Sequence, residues 1–121
     1  MIGYVTLGSN DRKKAGAFYD ELLGLLGAKR VMEDGDRLIL WSNGGPMLGV
    51  IAPYDGKAAT VGNGNMVALA VGSRENVDKI HAKALALGGT DEGAPGLRGG
   101  NFYGAYFRDL EGNKLCAFHM G

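Results

Sequence analysis

The chain repeats itself. Displaced by 62 residues, Tyr4 falls on Met66, Leu7 on Leu69, Phe18 on Ile80, Leu23 on Leu85 and Gly27 on Gly89. Each match sets apolar on apolar or glycine on glycine, which is the register of two copies of one supersecondary unit. A length of 121 residues suits one domain. The copies are therefore expected to be halves of a single fold, with module one at 1–53, a linker at 54–65 and module two at 66–121.

Within each copy the period of the apolar residues changes in the same order. Ile2 to Leu7 reads as a strand. Phe18, Tyr19, Leu22, Leu23 and Leu26 then recur at helical spacing, predicting a helix from about Asp11 to Leu26. Ser9 or Asn10 is the expected N-cap, and Gly27 the left-handed C-terminal residue. Three short strands follow, at Lys29 to Met32, Arg37 to Ser42 and Met47 to Ala52, separated by turns rich in Asp, Asn and Gly.

The second copy offers a strand at Met66 to Val71 and a cap at Ser73. Its helical stripe is Val77, Ile80, His81, Ala84 and Leu85, ending at Gly88 and Gly89. A weaker strand is expected near Thr90 to Glu92. Tyr103 to Arg108 and Lys114 to His119 form a hairpin about Asp109 to Asn113. The fold class is α+β, two tandem βαβββ modules each built on a mixed sheet.

Thirteen basic residues balance thirteen acidic ones, so no net field steers the chain to nucleic acid or an anionic membrane. No apolar run approaches a membrane span, and the first ten residues show no basic stretch followed by an apolar core. Cys116 is the single cysteine, which excludes an intramolecular disulfide and a cysteine zinc cage. A cytoplasmic location is expected. Glycine is the compositional anomaly, 22 residues where average usage gives about 8 or 9. Many fall at helix ends, hairpins and the linker, but Gly93, Gly96, Gly99, Gly100 and Gly104 gather in one stretch. Glu92 to Gly104 is therefore expected to be a mobile, lid-like loop carrying Arg98, Asn101 and Tyr103.

The order strand, helix, three strands, twice in about 120 residues, resembles the vicinal oxygen chelate superfamily of glyoxalases, bleomycin-resistance proteins and extradiol dioxygenases. The resemblance is carried by Tyr4-Val-Thr-Leu-Gly with Asp11, by Ala17-Phe18-Tyr19 with Leu22-Leu23, and above all by Tyr106-Phe107-Arg108-Asp109 through Gly112-Asn113-Lys114-Leu115. It implies two modules curling into cups about a cavity, and a chain that commonly pairs as a homodimer. In metal-dependent members it also implies His, Gln or Glu ligands on the first and last strand of each module. Those ligands hold a divalent ion that substrate oxygens chelate. Carried over by position, the four places fall on Tyr4, Leu48 or Gly49, Met66 and Cys116, and none is His, Gln or Glu. Leu48, Gly49 and Met66 offer nothing to a hard ion. A phenol and a thiol would serve only when ionised, at ordinary pKa values of about 10 and 8.5.

The remaining candidates have ordinary explanations. Glu33, Asp34, Asp36, Asp109 and Glu111 sit in predicted turns, where a solvated role is expected. His81 reads as a hydrogen-bonded structural histidine. Along the last strand His119 and Cys116 alternate onto opposite faces, which disfavours a dyad. Cys116 reads as a buried pocket wall, Lys114 as a solvated hairpin residue, and Trp41 and Tyr106 as core or cavity lining. Gly62-Asn-Gly64 lacks the third glycine and the following helix of a dinucleotide site, and no phosphate loop or nucleophile elbow occurs.

The residues expected to bind a small organic molecule are Tyr4, Trp41, Leu48, Met66, Arg98, Asn101, Tyr103, Tyr106 and Cys116. No metal is expected at the usual positions, and Arg98 is the natural anion anchor. The alternative is a glyoxalase-like lyase, or another enzyme of the superfamily, with a displaced metal site or with Tyr4, Arg98 and Tyr103 as acid and anion-binding groups. A scaffold without a ligand is the third possibility.

Overall fold

The computed structural model describes residues 1–121, which form two compact units, Met1–Val61 and Gly62–Gly121. In the first unit, β1 (Tyr4–Gly8) leads into α1 (Arg12–Gly24), then β2 (Lys29–Asp34), β3 (Leu38–Ser42) and β4 (Met47–Ile51). The sheet order is β1-β4-β3-β2, with β1 parallel to β4 and the other pairs antiparallel. In the second unit the same sequence is β5 (Val67–Ala70), α2 (Arg74–Ala86), β6 (Thr90–Gly99), β7 (Phe102–Arg108) and β8 (Lys114–Met120), in the order β5-β8-β7-β6.

Each helix covers one face of its own sheet, because its apolar stripe finds water-excluding partners only there. In unit one Phe18, Tyr19, Leu22 and Leu23 are buried with Ile39, Trp41, Leu48 and Val50. In unit two Val77, Ile80 and Ala84 are buried with Ala105, Phe107, Leu115 and Ala117. The other face of each sheet carries no helix, and strand alternation assigns residues to it: Tyr4, Gly49 and Leu40 in unit one, Ala68, Cys116, Phe118 and Tyr106 in unit two. We call this the open face.

The caps differ in detail from expectation. Asp11, not Ser9 or Asn10, caps α1, accepting a hydrogen bond from the Lys14 amide at 3.1 Å. Ser9 is buried and accepts from the Asp11 amide, while Asn10 exchanges two hydrogen bonds with the backbone of Ala59. Asn10 thereby fastens part of the 54–65 segment to unit one. Ser73 caps α2 through the Asn76 amide, as the sequence predicts.

The two helices keep the 62-residue offset, but the chain slips by one residue immediately after them. Gly27 is left-handed at φ 74°, whereas in unit two the left-handed residue is Gly88, at φ 100°, rather than Gly89. Gly89 has a different duty: a Cβ there would stand 2.7 Å from the Arg108 carbonyl and 2.8 Å from that of Ala84.

The expected lid is a strand. β6 runs ten residues, Thr90–Gly99, paired to β7 with irregularities at Asp91/Gly93, Gly93/Gly96 and Leu97/Gly99. Gly99 and Gly100 have positive φ and turn the chain into β7, leaving only a tight connection at Gly100 and Asn101. The glycines sit at bulges and at the turn, places where a strand uses them without ceasing to be one. Asp109 is likewise no solvated turn residue. It is buried, and its carboxylate accepts from the amides of Glu111 and Asn113, each at 2.9 Å, and from the Asn113 side chain. Glu33 and Asp34 lie in β2, not in a turn, and pair with Arg30 and Arg37. No helix is long and apolar enough to cross a membrane.

Candidate functional site

Strand register decides which residues stand at the four positions that the resemblance implies. Val5 pairs with Leu48 and Leu48 with Trp41; in unit two, Val67 pairs with Leu115 and Leu115 with Phe107. These are matching helix-side ladders, so Leu48 corresponds to Leu115 and Gly49 to Cys116. Leu48 is therefore not a lining residue of the open face: it is buried under α1, and the β4 position belongs to Gly49. A side chain at Gly49 would meet Leu40 Cδ2 at 2.3 Å and the Ile39 carbonyl at 2.8 Å, so Leu40 fills that space.

The other three positions are Tyr4 and Met66, both exposed, and Cys116, fully buried. Burial pushes the Cys116 thiol above its ordinary range, partly opposed by a hydrogen bond with Tyr106 and by the charges of Arg98 and Lys114. A buried thiol, a thioether and a glycine do not form the hard oxygen and nitrogen donor set that the family's divalent ion needs. No three His, Cys, Asp or Glu side chains converge anywhere in the chain. The residues present do not fit the metal.

What gathers on the open face of unit two is positive charge on an aromatic ring. Arg98 lies with its guanidinium carbon 5.4 Å from the centre of the Tyr106 ring, and Lys114 Nζ lies 5.6 Å from the same centre. Such contacts favour a cation over the ring's negative face. The backbone makes room for this. A Cβ at Gly96 would come within 2.9 Å of Arg98 Nη1, and one at Gly93 within 3.0 Å of the Tyr106 ring and 3.3 Å of Arg98 Nη2. Arg98 also donates through Nη2 to the Ala94 carbonyl. Two of the glycines expected to loosen a loop instead form the bed on which this arginine lies. Beside the cluster, Arg108 is paired with Glu92 at 2.9 Å. Farther along the same face, the Phe102 and Phe118 rings stack 5.3 Å apart and 6° from parallel.

The remaining predicted residues are dispersed. Trp41 is buried beneath α1, and its indole N–H donates to Asp20 at 2.9 Å, so it is core. Tyr103 faces the helix, not the open face: its hydroxyl donates to Asp78 at 2.7 Å, Arg74 lies over its ring, and Asp78 raises the phenol above its usual range. Arg98 and Tyr103 thus occupy opposite faces of one sheet and cannot act as a pair. Asn101 is exposed in the tight connection. His119 pairs in register with Tyr103 on the helix side while Cys116 pairs with Tyr106, so no dyad forms. His81 is buried and bonded through Nε2 to Asp91 at 2.9 Å. Lys114, expected as a solvated hairpin residue, is instead half-buried over Tyr106, on the face that its two-residue spacing from Cys116 assigns to it. Unit one has a separate open groove of about 340 Å3 near Arg12, Arg30, Glu33 and Asp36, charges already engaged with one another or with neighbouring carboxylates.

The fold can now be set beside known proteins. The sequence profile of the Glyoxalase/Bleomycin resistance protein/Dioxygenase superfamily matches residues 1–117, and the chain belongs to that superfamily. A glyoxalase/bleomycin resistance protein from Albidiferax ferrireducens is 38% identical, with a TM-score of 0.92, and the alignment covers 100% of this chain and 99% of that one. A glyoxalase/bleomycin resistance protein/dioxygenase family enzyme from Burkholderia phytofirmans is 21% identical at a TM-score of 0.81, covering 98% of each chain. A lactoylglutathione lyase from Agrobacterium tumefaciens is 22% identical at 0.74, covering 98% of this chain and 92% of its own. These last two likenesses are of fold. Comparison with curated protein sequences gives no significant match.

Proposed function

We propose that the chain binds a small organic molecule on its open-face surface without the divalent metal usual in the superfamily. The observation that carries this reading is the donor set at the four family positions, Tyr4, Gly49, Met66 and Cys116. In place of ligands it offers a phenol, a backbone blocked by Leu40, a thioether and a buried thiol. The framework around these positions is intact, with caps, hairpins and ladders formed in both units. An open face whose frame is kept, and whose side chains at these positions are not ligands for a hard ion, offers a small molecule a surface without a Lewis acid.

Metal analysis of the purified, untagged protein tests the reading. Expected are less than stoichiometric Zn, Ni, Fe and Mn, and a melting temperature unmoved by chelator. Stoichiometric metal, removed by chelator with a fall in melting temperature, would overturn it.

A further inference from the structure

The chain has no net charge, yet the open face of unit two concentrates two cations that no carboxylate answers. Arg98 and Lys114 each sit within 6 Å of the Tyr106 ring centre, and neither forms a salt bridge. Glu92, on the same strand as Arg98, is paired with Arg108. Arg98 spends Nη2 on the Ala94 carbonyl and keeps its Nε and Nη1 donors without protein acceptors. The guanidinium is held over the ring by one backbone hydrogen bond and by the space that Gly93 and Gly96 leave, so part of the cost of ordering it for a ligand is already met.

The ladder then dictates what lies beside the charge. From the hairpin end, the pairs on this face are Arg108 with Lys114, Tyr106 with Cys116, and Gly104 with Phe118. Gly104 has no side chain, and the Phe102 ring occupies its place, 2.7 Å from where a Cβ would be, stacked on Phe118. Successive pairs on one face are about 7 Å apart. One step from the Tyr106 ring that carries the cations, therefore, is an aromatic shelf, the stacked Phe102–Phe118 pair.

We propose that the open face of module two takes a carboxylate bearing a ring-sized apolar body, the carboxylate on Arg98 within the field of Lys114 and the body on the Phe102–Phe118 shelf. This rests on the metal-free binding reading above, and gives that reading a ligand class. The two cations supply the positive charge that a divalent ion supplies elsewhere in the superfamily, and they do so beside Cys116, the β8 family position.

Titration of the 15N-labelled protein with benzoate, and with its neutral isostere benzamide, tests the assignment. Benzoate is expected to shift the Tyr106 and Cys116 amides at least about tenfold more tightly than benzamide. The preference should disappear in the Arg98→Met/Lys114→Met protein and be halved in logarithmic terms in either single variant. Each variant's amide spectrum serves as the check that it is folded. Equal affinity for the two probes would overturn the carboxylate assignment while leaving small-molecule binding standing. Absence of shifts with both, to the solubility limit of benzamide, would also overturn it. A stoichiometric shift of the Cys116 amide by Zn2+ would instead bring down the metal-free reading.

Discussion

The two modules solve one problem with opposite charges. Arg30 of β2 pairs with Trp41, and Asp91 of β6 pairs with Phe107, at equivalent rungs of the two sheets. Both side chains turn toward the helix. In module one the strand supplies the cation, and Asp20 on α1 answers with two contacts of 2.8 and 2.9 Å. In module two the strand supplies the carboxylate and His81 on α2 answers. A bulge follows at once in each case, between Arg30 and Met32 and between Asp91 and Gly93. The frame has a polar tie from the edge strand to the helix in both units, and it is indifferent to which element supplies the carboxylate. His81 is not even at the offset position of Asp20; the residue 62 earlier is Tyr19. The tie is a place rather than a pair of residues.

The largest expected contrast lies at the one-residue slip after the helices. Gly89→Ala drives a Cβ against two backbone carbonyls and should cost about 3 kcal/mol of stability, whereas Gly27→Ala, strained in φ but opening on free space, should cost about 1 kcal/mol. Urea unfolding of the two variants measures this. Equal losses would mean that the turns are interchangeable after all.

Next in size is the tie itself. Asp20→Ala removes the acceptor of the buried Trp41 indole as well as the partner of Arg30, and about 2 kcal/mol is expected, nearly all from the indole because the ion pair is half exposed. Asp91→Ala should destabilise less, since His81 is the only side chain it deprives. A larger loss at Asp91 than at Asp20 would reverse the ranking of the two modules.

The smallest effect is in acid. Asp20 is held below the ordinary carboxylate range chiefly by its hydrogen bond from Arg30, and Asp91 chiefly by the Gly93 amide, with His81 second. Both folded values are lowered, so each carboxylate contributes its full stabilisation above the unfolded value of about 3.9 and loses it as pH falls through the folded one. Carboxyl titration by NMR should find Asp20 relaxing upward in Arg30→Met. Asp91 should stay low in His81→Gln, because a backbone amide does most of the holding. Reversion of Asp91 in that variant would show that the two ties are built alike.

Period and punctuation were enough to read both helices, the repeat and the β7–β8 hairpin, because an apolar stripe and an Asp-Leu-Glu-Gly-Asn turn have local causes. β6 was not legible. Gly93, Pro95, Gly96 and Gly99 are loop signals taken one at a time, and only the partner strand β7 shows that they mark bulges. The site suffered from the same limit. A one-residue doubt on β4 exchanges Gly49 for Leu48, which flips the side chain from the open face to the core. Tyr103 was lost for a similar reason: its neighbour Asp78 is 25 residues away in sequence, on a helix that only tertiary packing sets over it. Super-secondary order carries the family; the facing of individual side chains awaits the ladder.

The irregularity of β6 has a further result. It is the outermost strand of its sheet and, at ten residues, the longest in the chain, the sort of border on which another polypeptide can add a strand and start an aggregate. Its hydrogen-bonding edge never offers that template in full. The register breaks three times, and Pro95 contributes no N–H to an incoming chain. The glycine-rich border that seats Arg98 is thus also a poor nucleus for fibrils, and replacing its glycines with β-branched residues would give the protein a straight, adhesive rim.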